Sequence, residues 1–245
     1  AGAVYHQLPD AAESMPQDEA MTRLVAGYAE SLERYRTEIV GRHSVRMPDG
    51  MEACRKGDCF SGLLTADAFL EYGRQQGARL ALVNGGAIRA SLPAGDISRG
   101  DLLALHPFDG QVYVREYSGK QIMDALEHAV SGPDGEGPQL LQVAGLAYEA
   151  DTSRPAGRRL QAVHIVDERG RRHVLDPQGR YGVVLSDFLA SGGDGFGMLR
   201  QGCLLTTSPL SVRELTVDYI RRHSPLTAPR GERIILDRAN VQSPQ

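Results

Sequence analysis

The chain lacks the features that define several large functional classes. Among its 245 residues, no apolar run approaches the roughly 18 needed to cross a bilayer, and none reads as a signal peptide. Positive charge is not in excess: 27 Lys and Arg stand against 31 Asp and Glu, for a net charge of -4, and the basic residues are spread out. That removes the electrostatic footprint of a nucleic-acid binder. It leaves room for a small anionic ligand, because one or two well-placed arginines hold a phosphate. The seven histidines form no H-x-H, H-E-x-x-H or Asp-x-His arrangement, and G-x-S-x-G is missing, so neither a metal motif nor a serine nucleophile is recognisable. Cysteine is scarce, with three in all.

What is present describes an ordinary globular chain, 41% hydrophobic and 24% charged. The length suits one large domain or two small ones. The first residues are Ala1-Gly2-Ala3 without an initiator Met, so a processed or excised chain is expected. Residues 1–17 are polar and irregular, and Ser14 with Gln17 forms a candidate capping box. Met21, Leu24, Val25, Tyr28, Leu32, Tyr35 and Ile39 then recur at helical spacing, which predicts one amphipathic helix that packs through this stripe. A second helix is predicted over Leu63 to Gln76, with Gly77 in the C-cap position. Others are predicted after Ser98, after the Ser118–Gln121 capping box, and from about Val212 to Arg222. Strands are predicted over Arg79–Val83, Gln111–Tyr117, Leu140–Tyr148, Leu160–Val166, Arg172–Leu175 and Tyr181–Ser186. Helices and strands mix without regular alternation, which favours an α+β fold over a doubly wound sheet. Residues 1–40 read as an N-terminal segment with a linker helix, and 41–245 as one main domain.

Two glycine-rich loops draw attention. Asn84-Gly85-Gly86-Ala87-Ile88-Arg89 follows a strand; its glycines permit positive φ and close approach of a ligand, and Arg89 adds a planar fork for a phosphate or sugar edge. The plain alternative is a tight turn with Arg89 in solvent. The second loop, Phe188-Leu189-Ala190-Ser191-Gly192-Gly193-Asp194-Gly195-Phe196-Gly197, matches no dinucleotide fingerprint. Its Asp194 suits paired ribose hydroxyls, or else an Asx-type turn. His106-Pro107-Phe108-Asp109-Gly110 sets a ring on a turn, as a core residue or as a surface for a base. Cys54 and Cys59 flank four residues, as reduced thiols or as a short disulfide loop worth about 2 kcal/mol in an oxidising compartment. A zinc site has no second Cys or His pair to complete it.

Taken in order, these landmarks resemble the C-terminal domain of the 5'-nucleotidase and UDP-sugar hydrolase family. They run from Cys54-Arg55 and Cys59 through Gly62 with Asp67-Ala68, then Asn84 to Arg89, Pro107-Phe108, Ser118-Gly119 and Leu141 to Gly145, and end with Phe188 to Phe196. The resemblance covers about Pro16 to Tyr219. It implies that Phe108 and Phe188 sandwich a base, Asp194 binds the ribose hydroxyls, Asn84 contacts the nucleoside, and Arg55 and Arg89 steady the ribose and phosphate end. It also implies a Cys54–Cys59 disulfide and a periplasmic, secreted or cell-surface location. Leu63 and Ala87 depart from the pattern, which has Asn and a third glycine there.

The family's D-x-H, G-D-x-x-D, G-N-H-[DE] and G-H-x-H signatures do not occur in this chain. The resemblance therefore implies that two divalent metal ions belong to an N-terminal metallophosphoesterase domain, with no catalytic residue and no cofactor in these 245 residues. The expected role is a substrate-specificity domain that grips the base and ribose of a nucleotide. The alternatives are a free-standing nucleoside-binding module and a domain of a thiosulfohydrolase-like relative.

Overall fold

A computed structural model describes residues 18–237. Its order is α1 (Glu19–Thr37), β1 (Ile39–His43), α2 (Phe60–Arg74), β2 (Ala78–Asn84), β3 (Gly95–Ser98), α3 (Arg99–Leu105), β4 (Gln111–Ser118) and α4 (Gly119–Ala129). There follow β5 (Leu141–Ala144), β6 (Leu146–Asp151), β7 (Leu160–Val166), β8 (Arg172–Val174), β9 (Arg180–Ser186), α5 (Asp187–Ala190), β10 (Cys203–Ser211), α6 (Val212–His223) and β11 (Ile234–Asp237). The fold is α+β.

A five-stranded mixed sheet, ordered β10-β4-β9-β2-β5, forms the middle layer. Because side chains alternate across a strand, each strand feeds two cores. Ala81, Val83, Val112, Val114 and Val184 face α2, α3 and α6. Leu80, Leu82, Val183 and Leu185 face α4 and the inner side of a four-stranded sheet, β11-β6-β7-β8, through Tyr148, Ala150 and Val163. Gly145, at φ +70, turns β5 into β6 and so hands the chain from one sheet to the other.

Helix boundaries follow their caps. Ser98 with Asp101 and Ser118 with Gln121 form reciprocal capping boxes at α3 and α4. The predicted Leu63–Gln76 helix begins earlier, at Phe60, where the Cys59 sulfur accepts from the Gly62 N–H at 3.3 Å. It ends at Arg74 with Gln75 as the cap, and Gly77 takes the left-handed conformation (φ +78) two residues further on. Four strands carried no sequence signal: β1, β3, β10 and β11 are short or mostly exposed.

The first helix forms as predicted but does not pack as predicted. Its N-cap is Asp18, whose carboxylate accepts from Met21 N at 2.9 Å; the Ser14–Gln17 box lies outside the described residues. No residue of α1 is buried, and Tyr28 stands 71% exposed. Only its C-terminal end is tied down. There Arg99 lies 4.7 Å from the Tyr35 ring centroid and pairs with Glu38 and Glu214, both at 2.8 Å.

Tyr148 joins the two sheets by donating its hydroxyl to Leu141 O at 2.9 Å inside the second core. Tyr148→Phe is expected to lower unfolding free energy by about 1 kcal/mol, as for loss of one buried hydrogen bond. A urea titration with an unchanged m-value is the check.

Candidate functional site

The two glycine loops are separated by about a hundred residues, yet sheet topology makes them neighbours. Strands β2 and β9 pair in parallel, Leu80 opposite Val183 and Ala81 opposite Val184, so their C-terminal ends leave the sheet at one edge. Asn84 ends β2, and Ser186 ends β9 just before Phe188. Antiparallel β4 starts at that same edge, with Val112 opposite Ser186, which brings in the Phe108 turn. Antiparallel β5 starts there too, with Leu141 opposite Asn84, and delivers Pro138.

These segments enclose a cleft of about 400 Å³, within the range of small-molecule sites. Arg55, Asn84, Arg89, Phe108, Phe188 and Asp194 all line it. Phe108 is 72% exposed and Phe188 47%, so neither is a core residue. The Phe188 ring lies against Gly193, where any Cβ would stand 2.4 Å from its Cζ. Arg89 reaches over the Phe108 ring, 5.9 Å from its centroid. Asn84 is buried and donates from Nδ2 to Asp194 Oδ2 at 2.8 Å, which ties the two loops together.

Asp194 adopts the left-handed conformation (φ 51), uncommon for a non-glycine residue and found where surroundings hold the backbone in place. Its carbonyl lies 2.7 Å from His128 Nε2, and its carboxylate takes the Asn84 amide rather than closing an Asx-type turn. In the first loop, the glycines serve a different purpose from the one expected. Neither Gly85 nor Gly86 has positive φ. Gly85 is needed because a Cβ would come within 2.3 Å of the Cys54 carbonyl oxygen.

That contact places Arg55. Cys54 and Cys59 are joined in a disulfide with Cα atoms 4.9 Å apart. Buried Gln142 braces the loop: Nε2 donates to Cys54 O (3.0 Å) and Gly57 O (2.7 Å), and Oε1 accepts from Cys59 N (3.3 Å). Arg55 leaves this frame into the cleft wall, its Nε buried without a hydrogen-bond partner among the described residues.

The expectation that the chain offers no place for a cofactor metal is corrected here. Asp49, Cys54 and Cys59 bring a carboxylate and two sulfurs within 4.8 Å of one another, a set of ligand types that suits a metal ion. With the sulfurs bonded to each other no thiolate is offered, and the carboxylate accepts from Ser61 N, Ser61 Oγ and Leu92 N. The metal-binding capacity therefore belongs to the reduced chain.

Several cleft residues had no assigned role in the sequence: Phe69, His106, Pro138 and Asp187. Phe69 reads as core because it belongs to the first core while also lining the cleft. Gln142 carried no signal either, since a polar residue in a strand shows its partners only in three dimensions. His106 is fully enclosed; burial, helped by the Arg213 charge, pushes its pKa down to about 4. His106 Nε2 lies 3.1 Å from the buried Thr65 hydroxyl, whose oxygen also stands 2.8 Å from Ser61 O.

Comparison with known proteins identifies the family of the fold. Residues 39–201 match the family model for the 5'-nucleotidase C-terminal domain. The chain belongs to that family. This 5'-nucleotidase C-terminal domain is 30% identical over 214 residues to an apyrase of Anopheles gambiae, covering 87% of this chain and 37% of that protein. It is 33% identical over 175 residues to a trifunctional nucleotide phosphoesterase of Bacillus subtilis, covering 71% of this chain and 12% of that protein. The crystal structure of a 5'-nucleotidase precursor from Thermus thermophilus superposes with a TM-score of 0.81 at 32% identity, over 95% of this chain and 45% of that one. The chain thus spans less than half the length of each of these relatives. Among the described residues, no helix is long and apolar enough to cross a membrane.

Because His106 is held neutral, the unfolded chain takes up its proton first as pH falls. Its contribution is full above about pH 6.5, declines as pH drops, and is gone near pH 4, a loss of about 3 kcal/mol. His106→Gln is expected to flatten that part of the stability profile, measured by denaturant unfolding at several pH values between 4 and 7.

Proposed function

We propose that this 5'-nucleotidase C-terminal domain binds the base and ribose of a nucleotide and presents it for phosphoester hydrolysis by a metallophosphoesterase domain. In this reading Phe108 and Phe188 stack on the two faces of the base. Stacking needs only a π-face, so it tolerates many bases. Asp194, tied to Asn84, accepts hydrogen bonds from the ribose hydroxyls, and Asn84 keeps its amide oxygen for the nucleoside. Arg55 and Arg89 neutralise the phosphate end, where a guanidinium fork matches phosphate oxygens.

One observation carries the reading: a single cleft joins two exposed aromatic rings, a carboxylate on a glycine loop and two arginines. Exposed rings on a small rigid surface gain most when a flat apolar face covers them. The nucleotide-handling relatives named above support the same ligand class. The disulfide supports an oxidising compartment, periplasmic, secreted or at a cell surface.

Isothermal titration with adenosine, 2'-deoxyadenosine and AMP is the test. Phe188→Ala is expected to weaken adenosine about tenfold or more, in line with about 1–3 kcal/mol per stacked base. Asp194→Asn is expected to lose most of the preference for adenosine over its 2'-deoxy analogue while leaving the deoxy ligand nearly unchanged. Unaltered affinity in both variants would remove the ligand from this cleft.

A further inference from the structure

Asp187 is a second carboxylate in the cleft, and the nucleotide reading above gives it no role. Its position is set by the two segments that carry the rings. It directly precedes Phe188 at the first turn of α5. Its carboxylate rests on Gly110, two residues after Phe108, where a Cβ would stand only 2.3 Å from Oδ1 and 3.3 Å from Oδ2. The absence of a side chain at Gly110 is what lets the carboxylate sit there. Asp187 therefore closes the seam where the Phe108 turn meets the Phe188 helix.

Its hydrogen-bonding capacity is largely unused. Oδ1 accepts from Phe188 N at 2.8 Å. Among the described residues no ion pair claims the group: Arg213, at the start of α6 against this turn, is taken by Asp109 at 3.1 Å. Oδ2 and the remaining lone pair of Oδ1 have no hydrogen-bond donor among the described residues. A carboxylate has no donor to offer, so a partner here must present N–H groups.

We propose that Asp187 is a specificity-determining residue that selects nucleobases by two adjacent N–H donors on the edge entering the seam. The inference rests on the base lying between Phe108 and Phe188. A guanine-type edge presents a ring N–H beside an exocyclic amino group, which matches the two carboxylate oxygens. A hypoxanthine edge keeps the ring N–H and loses the amino group. An adenine edge offers the amino group beside a ring acceptor, which a carboxylate repels. Asp187 is half-buried, and a base stacked beside it would cover it; a ligand that lacks these donors then leaves the covered acceptor unpaired, which is how such a site discriminates.

The experiment is calorimetric titration of the intact chain with GMP, IMP and AMP, on the native sequence and on Asp187→Asn. The Asn variant keeps an acceptor for Phe188 N and preserves shape, while its amide hydrogens oppose the second donor of guanine. The native chain is expected to bind GMP about tenfold more tightly than IMP, in line with one charge-assisted hydrogen bond. In Asp187→Asn that ratio is expected to collapse to about twofold or less, with IMP affinity little changed. A role confined to starting α5 would move the thermal midpoint and shift all three ligands together, leaving the ratio intact. An unchanged ratio, or GMP and IMP equal in the native chain, overturns the assignment of Asp187 alone. Failure of the native chain to bind any of the three overturns the nucleotide reading with it.

Discussion

The cleft depends on one pairing, β2 alongside β9 in parallel. Parallel neighbours release their chains at the same end of the sheet, so the Asn84 loop and the Phe188–Gly197 loop have to meet. The alternation of Leu80 and Leu82 against Ala81 and Val83 fixes the register from both faces. A slip of one residue would send every apolar side chain of β2 to the opposite core. Cleft geometry is therefore set by the packing of two cores, the first of which shares Phe69, Val83 and Val212 with the cleft lining. Antiparallel β4 and β5 add the Phe108 turn and Pro138 at the same edge by the same logic.

Onto that frame the cleft is drawn tight by backbone approach. Gly85 lies on the Cys54 carbonyl, Gly193 under the Phe188 ring, and Gly110 under the Asp187 carboxylate. In each case an absent Cβ makes room for a group that lines the cleft or supports one that does. Gln142 and the disulfide hold the far side of the Cys54 contact, which carries Arg55 to the cleft without any help from a regular element longer than a single turn. The same closeness explains why sulfur and carboxylate ligands collect beside Arg55: the loop is compact enough to crowd Asp49 against the cysteines.

Much of this was legible in the residues. The cap at Ser98, the capping box at Ser118 and the apolar strands β2, β4 and β9 announce themselves locally, because their signals lie within a few residues of one another. All six candidate ligand contacts line one cleft, because the pairing of β2, β4 and β9 brings their loops to one end of the sheet. The misreadings have a common cause. The stripe on α1 has correct helical spacing, yet spacing does not say what lies opposite, and nothing among the described residues covers it. The glycines of Asn84–Arg89 suggested positive φ, whereas at Gly85 the requirement comes from the carbonyl of Cys54, distant in sequence. The Asp49 carboxylate is invisible as a partner of Cys54 and Cys59 until the loop folds back on it.

The Asn84–Asp194 bond shows how the parts add up. Asp194 holds a left-handed backbone that costs of order 1–3 kcal/mol for a residue with a side chain. Glycines at 192 and 195, with φ near +86 and +85, carry the rest of the turn without that cost. Were Asp194 needed only for the turn, glycine would serve better there. What the carboxylate adds is a fixed acceptor, locked by the buried Asn84 amide and by His128 on the carbonyl behind it. A ligand group arriving at that acceptor finds it already oriented, so less ordering is left to oppose binding. The strain sits where preorganisation is most useful, and the buried end of β2 is the rigid element able to hold it.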